Sequence, residues 1–151
     1  MIKTLCNAIL ISVAALMPFA ANAGATKQEA QAIVTKAAAF AAANGKEKLV
    51  AEANKKDGPF MKGDLYVFVY DMSGTLIANP AVPDTVGKNQ LDVPDADGKF
   101  FRKDILALAK SSGNGWVSYK WRNPVSGKVE AKTSYVMKQG DVIIGAGVYD
   151  K

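Results

Sequence analysis

GWVSYKWRNPVSGKVEAKTSYVMKQGDVIIGAGVY, residues 115–149, reads as three consecutive strands. Val117, Tyr119 and Trp121 alternate with Trp116, Ser118, Lys120 and Arg122, and a period of two puts each set on its own face of a strand. Asn123, Pro124 and Ser126-Gly127 supply hairpin-turn chemistry. The return run, Val129 to Lys138, is expected to bring Lys132 and Tyr135 alongside the Tyr119/Trp121 face. Aromatic walls around one amine suit a small anion, because the rings exclude water and an ammonium then attracts more strongly. The rival reading is an amphipathic hairpin with surface aromatics and a solvated lysine.

Upstream of these strands the chain reads as helix, then hairpin, then loop and helix. Residues 27–43 are rich in strong helix formers, with Thr26 as N-cap and Glu29 three residues on. Ala30, Ile33, Val34, Ala37 and Phe40-Ala41 form one apolar stripe, and Asn44-Gly45 ends it. A shorter helix spans 46–54, facing Leu49, Val50 and Ala53 inward, and Asp57-Gly58-Pro59 breaks it. Leu65–Tyr70 and Thr75–Ala78 flank the turn Asp71-Met72-Ser73-Gly74. Residues 79–99 carry three of the six prolines and predict a long ordered loop, a type of segment that is usually functional. Phe100–Ser111 is a second amphipathic helix. The plan is α+β, with a long N-terminal helix packed on a five-stranded antiparallel sheet.

The first residues read as an export signal. Lys3 precedes the apolar run Leu5–Ala21, and Ala21-Asn22-Ala23 offers a small-x-small cleavage site. Residues 1–23 are expected to be removed, leaving 24–151 as one domain; an uncleaved anchor is the competing reading. Its single cysteine, Cys6, would leave with the leader, so no disulfide is expected in a mature, periplasmic or secreted chain. The net charge of +5 falls to +4 without Lys3, and the dispersed lysines form no nucleic-acid footprint.

There are 0 histidines. That excludes Ser-His-Asp and Cys-His catalysis and zinc sites built on histidine or cysteine. No phosphate-cradling loop is present. Asp95-Ala96-Asp97-Gly98 resembles part of a calcium loop but lacks an oxygen ligand at Val93 and has Asp104 where such a loop closes with glutamate. Neither a metal nor a cofactor is expected.

The order Gly63-Asp64-Leu65-Tyr66-Val67-Phe68-Val69-Tyr70-Asp71, Gly74, Asn79-Pro80, Gly87-Lys88-Asn89, Asp95-x-Asp97-Gly98-Lys99, Gly115-Trp116-Val117-x-Tyr119-x-Trp121, Pro124, Lys132-x-x-Tyr135 and Gly145-x-Gly147-Val148-Tyr149 resembles the single Cache domain, second subtype. The resemblance covers residues 26–150. It implies an extracytoplasmic sensor module with a PAS-like sheet and small organic acids as a recurrent ligand class. It implies a pocket between the sheet and loop 79–99, where Tyr119 and Trp121 line the wall and Lys132 meets a carboxylate. Tyr135 would offer its hydroxyl, with Tyr66 as a secondary candidate. Asn79 stands where many relatives have histidine before the proline, and an amide carries no charge near neutral pH.

Family members commonly belong to chemoreceptors and sensor kinases, so a membrane receptor or kinase is an expected partner. Two other classes remain open. A regulatory or interaction protein without its own ligand would show an exposed apolar patch. A carboxylate-based hydrolase would draw on Asp92, Asp95, Asp97 and Asp104 with separated pKa values.

Overall fold

The computed structural model describes residues 24–150; the expected leader, residues 1–23, lies outside the described residues. Helix α1, Lys27–Asn44, begins at a capping box: the Thr26 hydroxyl accepts from the Glu29 N–H at 3.2 Å, and the Glu29 carboxylate accepts from the Thr26 N–H at 2.7 Å. Its buried face, Ala30, Val34, Ala37 and Ala38, is built of small side chains that let the helix lie close to the sheet. Helix α2, Lys46–Ala53, follows a one-residue break at Gly45, whose φ of 91° favours glycine.

Six strands follow: β1 (Met61–Lys62), β2 (Leu65–Asp71), β3 (Leu76–Ala78), β4 (Asn114–Arg122), β5 (Val129–Gln139) and β6 (Val142–Tyr149), with helix α3 (Phe101–Ser111) between β3 and β4. The sheet runs β1-β2-β6-β5-β4. All the pairings are antiparallel, and β1 and β3 share one edge of β2. To the five strands expected from the sequence the structure adds β1, two residues long and too short to leave a periodic signal.

Two apolar layers form, one on each side of the sheet. Leu65, Val67 and Val69 of β2 join Ile144, Ala146 and Val148 of β6 under α1 and α2. Tyr66, Phe68 and Tyr70 point the other way, toward Phe101, Ile105 and Ala109 of α3. β2 and β6 are therefore covered on both faces and read as near-continuous apolar runs, although their neighbours are antiparallel. The α3 side is the aromatic one, and Ala81, Val82 and Val86 of the long loop 79–99 pack against it.

Candidate functional site

The register of the β4–β5 hairpin sets Tyr119 directly opposite Lys132, and β5–β6 pairing sets Lys132 opposite Tyr149. Lys132 thus stands mid-sheet on the α3 side, 1% exposed. Its stem crosses β6 at Gly147, where a Cβ would come within 2.9 Å of the Lys132 Cε. Two residues earlier the Phe68 ring lies over Gly145, 2.3 Å from where a Cβ would stand. The Gly-x-Gly of β6 therefore makes a side-chain-free trough in the centre of the sheet.

Tyr66, Phe68, Tyr70, Asn79, Phe101, Tyr119, Trp121 and Lys132 line a cavity of about 10 Å³ at this trough. That volume suits about one water. Phe101 stacks on Tyr119 with centroids 3.9 Å apart and planes 5° apart, and Trp121 meets both rings edge-on.

The Lys132 Nζ sits 4.0 Å from the Tyr66 ring centroid, 4.9 Å from Tyr149 and 5.7 Å from Phe68. Burial pushes its pKa below the ordinary lysine value, and the nearby Tyr66 hydroxyl and Asp64 carboxylate only partly restore it. None of the ion pairs among the described residues involves it. The three rings favour the charged form of an amine that makes no direct ion pair among the described residues.

The hydroxyls around it have assigned directions. Tyr149 donates to the Arg122 carbonyl at 3.0 Å, which uses its one proton. The 3.3 Å contact between Tyr66 and Tyr149 must then run from Tyr66, leaving the Tyr66 lone pairs for the Lys132 ammonium. Tyr119 and the fully buried Ser134 share one hydrogen bond of 2.8 Å between two hydroxyls, which uses one of their two protons. The Asn79 Oδ1 accepts from the Ala81 N–H at 3.0 Å, which leaves its NH2 as the group it offers.

Five of the six residues singled out from the sequence, Tyr66, Asn79, Tyr119, Trp121 and Lys132, come together at this cavity. Tyr135 does not, and its expected position beside Lys132 is corrected. Three residues is an odd step along a strand, so Tyr135 faces α1, packed among that layer and 5.2 Å from the Trp116 ring directly opposite. Ser134, two residues from Lys132, holds the place expected of it. Phe68, Tyr70, Phe101 and Tyr149 also went unnamed; apolar and aromatic strand residues give no signal that separates a wall from a core.

Loop 79–99 is fastened to β4, an edge strand. The Asp95 carboxylate accepts from the backbone N–H of Lys120 at 2.8 Å, of Lys99 at 2.8 Å and of Asp97 at 3.0 Å, and the Lys99 ammonium donates to the Ser118 carbonyl at 2.6 Å. The aspartate of the calcium-like string is thus a backbone acceptor. Partial burial raises the Asp95 pKa, but the three N–H donors outweigh it and hold the carboxyl below its ordinary value of 3.8. Because the folded value is the lower one, the tie is fully present above the unfolded pKa and lost as pH falls through the folded one. Asp95→Ala is expected to cost about 1 kcal/mol in denaturant unfolding at pH 7. The gap to wild type should narrow below roughly pH 4. An equal gap at pH 7 and pH 3 would mean the carboxylate charge is not what holds the loop.

Comparison with known proteins completes the description. The family model described as Single Cache domain 2 matches residues 1–151. The sensor histidine kinase MctS of Rhizobium johnstonii is 38% identical over 88 residues, 57% of this chain and 19% of that protein. The methyl-accepting chemotaxis protein McpP of Pseudomonas putida is 34% identical over 88 residues, 57% of this chain and 16% of that protein. The chain therefore matches less than a fifth of the length of either relative. Among solved structures, a Cache chemosensory domain described for its carboxylic acid recognition superposes with a TM-score of 0.65 at 28% identity, covering 82% of this chain and 88% of that one.

Proposed function

The chain belongs to the Single Cache domain 2 family, and on that premise we propose that it is an extracytoplasmic sensor module whose pocket takes a small organic acid. The observation that carries this reading is Lys132: a lysine 1% exposed, in no ion pair among the described residues, its amine against three aromatic rings at a cavity. Burying a cation without an anion destabilises a fold, and a carboxylate bound at the ammonium would return that cost as affinity. The carboxylate would accept from Lys132, from the spare proton of the Tyr119–Ser134 pair and from the Asn79 amide, with Phe101, Tyr119 and Trp121 around its apolar end. The carboxylic acid recognition of the structural relative supports the same ligand class.

A cavity of about 10 Å³ favours the smallest acids, because any occupant larger than water must displace part of the wall. Acetate and propionate are expected to raise the melting temperature by several degrees at concentrations well above Kd, and di- and tricarboxylates by much less. A screen in which no carboxylate shifts the melting temperature, while an amine or neutral ligand does, would overturn the ligand class.

The receptor and kinase context of the relatives supports a role in signal transduction, with the ligand's arrival passed to a membrane receptor or sensor kinase. Among the described residues no helix is long and apolar enough to cross a membrane. We further propose that residues 1–23 are a cleaved leader. The intact mass of exported protein should correspond to a chain starting at Gly24; retention of residues 1–23 in a membrane fraction would replace the leader with an anchor.

A further inference from the structure

Arg102 stands in the first turn of α3, where a helix dipole disfavours a cation, yet it is only 4% exposed. Its Nη1 donates to the Val93 carbonyl at 3.0 Å and its Nη2 to the Gln90 Oε1 at 3.2 Å, both on the long loop. Its Nε is buried without a hydrogen-bond partner. The guanidinium lies 4.3 Å from the Phe101 ring centroid and 5.2 Å from that of Trp121. Since Phe101 in turn stacks at 3.9 Å on Tyr119, Arg102 is the outermost of three layers, and the innermost faces Lys132.

We infer that Arg102 is a positioning residue, which locks the long loop to the Phe101–Tyr119 wall and so sets how tightly the pocket holds its occupant. Burying a guanidinium with one N–H unsatisfied is costly, and no ion pair among the described residues offsets it. What the arrangement gains is geometric. A planar fork can bond two loop acceptors while its face stays on the aromatic stack, and a lysine ammonium can do neither. Arg102 does not line the cavity and acts through Phe101 and Tyr119. The effect on affinity rests on the reading of this cavity as the ligand site; the effect on the wall does not.

The two are measured separately in a Trp116→Phe background, which leaves Trp121 as the one tryptophan and alters only the far face of the sheet. In ligand-free protein, Arg102→Lys should raise the acrylamide quenching of Trp121 about twofold or more, since the guanidinium no longer covers the ring. Propionate affinity by calorimetry should weaken about tenfold, with the loss in the dissociation rate. Gln90→Ala, which leaves the buried layers intact, should show a smaller change in the same direction at an unchanged melting temperature. Unaltered quenching in folded Arg102→Lys overturns the inference, as does raised quenching with propionate affinity unchanged. If wild type takes up no propionate while quenching still rises, the lock stands and the carboxylate reading falls.

Discussion

Lys132→Met should melt at a higher temperature than wild type without ligand and bind carboxylate ten- to more than a hundredfold more weakly. The two effects share one cause. In the wild type the ammonium is buried among aromatic rings, and burial lowers its pKa below the ordinary lysine value. Between that lowered value and about 10.4 the unfolded chain binds more protons than the folded one, so stability rises with pH across this window. Methionine keeps the stem's packing and removes the charge, which makes the variant the more stable of the two at neutral pH; the gap should close as pH approaches 10.

The binding loss is that of one charge-assisted contact, about 1.5–3 kcal/mol. A bound carboxylate would raise the amine's pKa again, so wild-type affinity should fall as pH rises into the same window. Calorimetry and thermal melts across pH 6–10 decide both points. A folded variant with wild-type affinity would mean that the anion is held by other groups. A variant less stable than wild type in ligand-free form would mean that the lysine is already paid for by the fold.

Gly147→Ala should be destabilising out of proportion to one methyl group. The new Cβ would stand 2.2 Å from the Ser134 Oγ, 2.8 Å from the Thr133 carbonyl oxygen and 2.9 Å from the Lys132 Cε. A serine or a lysine can rotate away, but the Thr133 carbonyl belongs to the neighbouring strand. Relief therefore requires β5 and β6 to part in the middle of the sheet. Overpacking of this kind costs about 1–3 kcal/mol, and here it would also displace Lys132 and the Tyr119–Ser134 pair. Urea unfolding should show the loss and propionate binding should fall with it. Wild-type stability in Gly147→Ala would show that the strands have slack and that the trough is not what admits the lysine.

Much of this arrangement is visible in residues 115–149, because strand periodicity and a single hairpin turn fix which side chains can meet. Tyr119 and Lys132 end up as direct partners for that reason. The same rule places Tyr135 on the far side, and the Lys-x-x-Tyr pattern obscured it: a motif spacing of three is helical in habit but changes face on a strand. Ser134 follows from that parity and was overlooked because a lone serine carries no chemical signal.

Arg102 was hidden differently. Next to Lys103 at the start of an amphipathic helix it reads as one more solvated cation, and only the fold of loop 79–99 over it provides its acceptors. Gly145-x-Gly147 shows in the sequence only as a pattern; its meaning depends on the Phe68 and Lys132 side chains crossing β6 from neighbouring strands.

β6 is the last strand in sequence but occupies the middle of the sheet, between β2 and β5. It pairs residues 67–71 with 142–146, contacts that close a loop of most of the domain. Before that closure β1, β2 and β3 form one piece and the β4–β5–β6 meander another: the meander carries Lys132, Gly147 and Tyr149, but the Tyr66 and Phe68 rings that cover the amine belong to the first piece. Non-local closure of this kind is slow relative to helix and hairpin formation. The proposed anion site is thus incomplete until β2 and β6 have paired, and a chain clipped between them would present no half-affinity decoy. Ligand uptake at the proposed site would therefore report that these two distant strands have met.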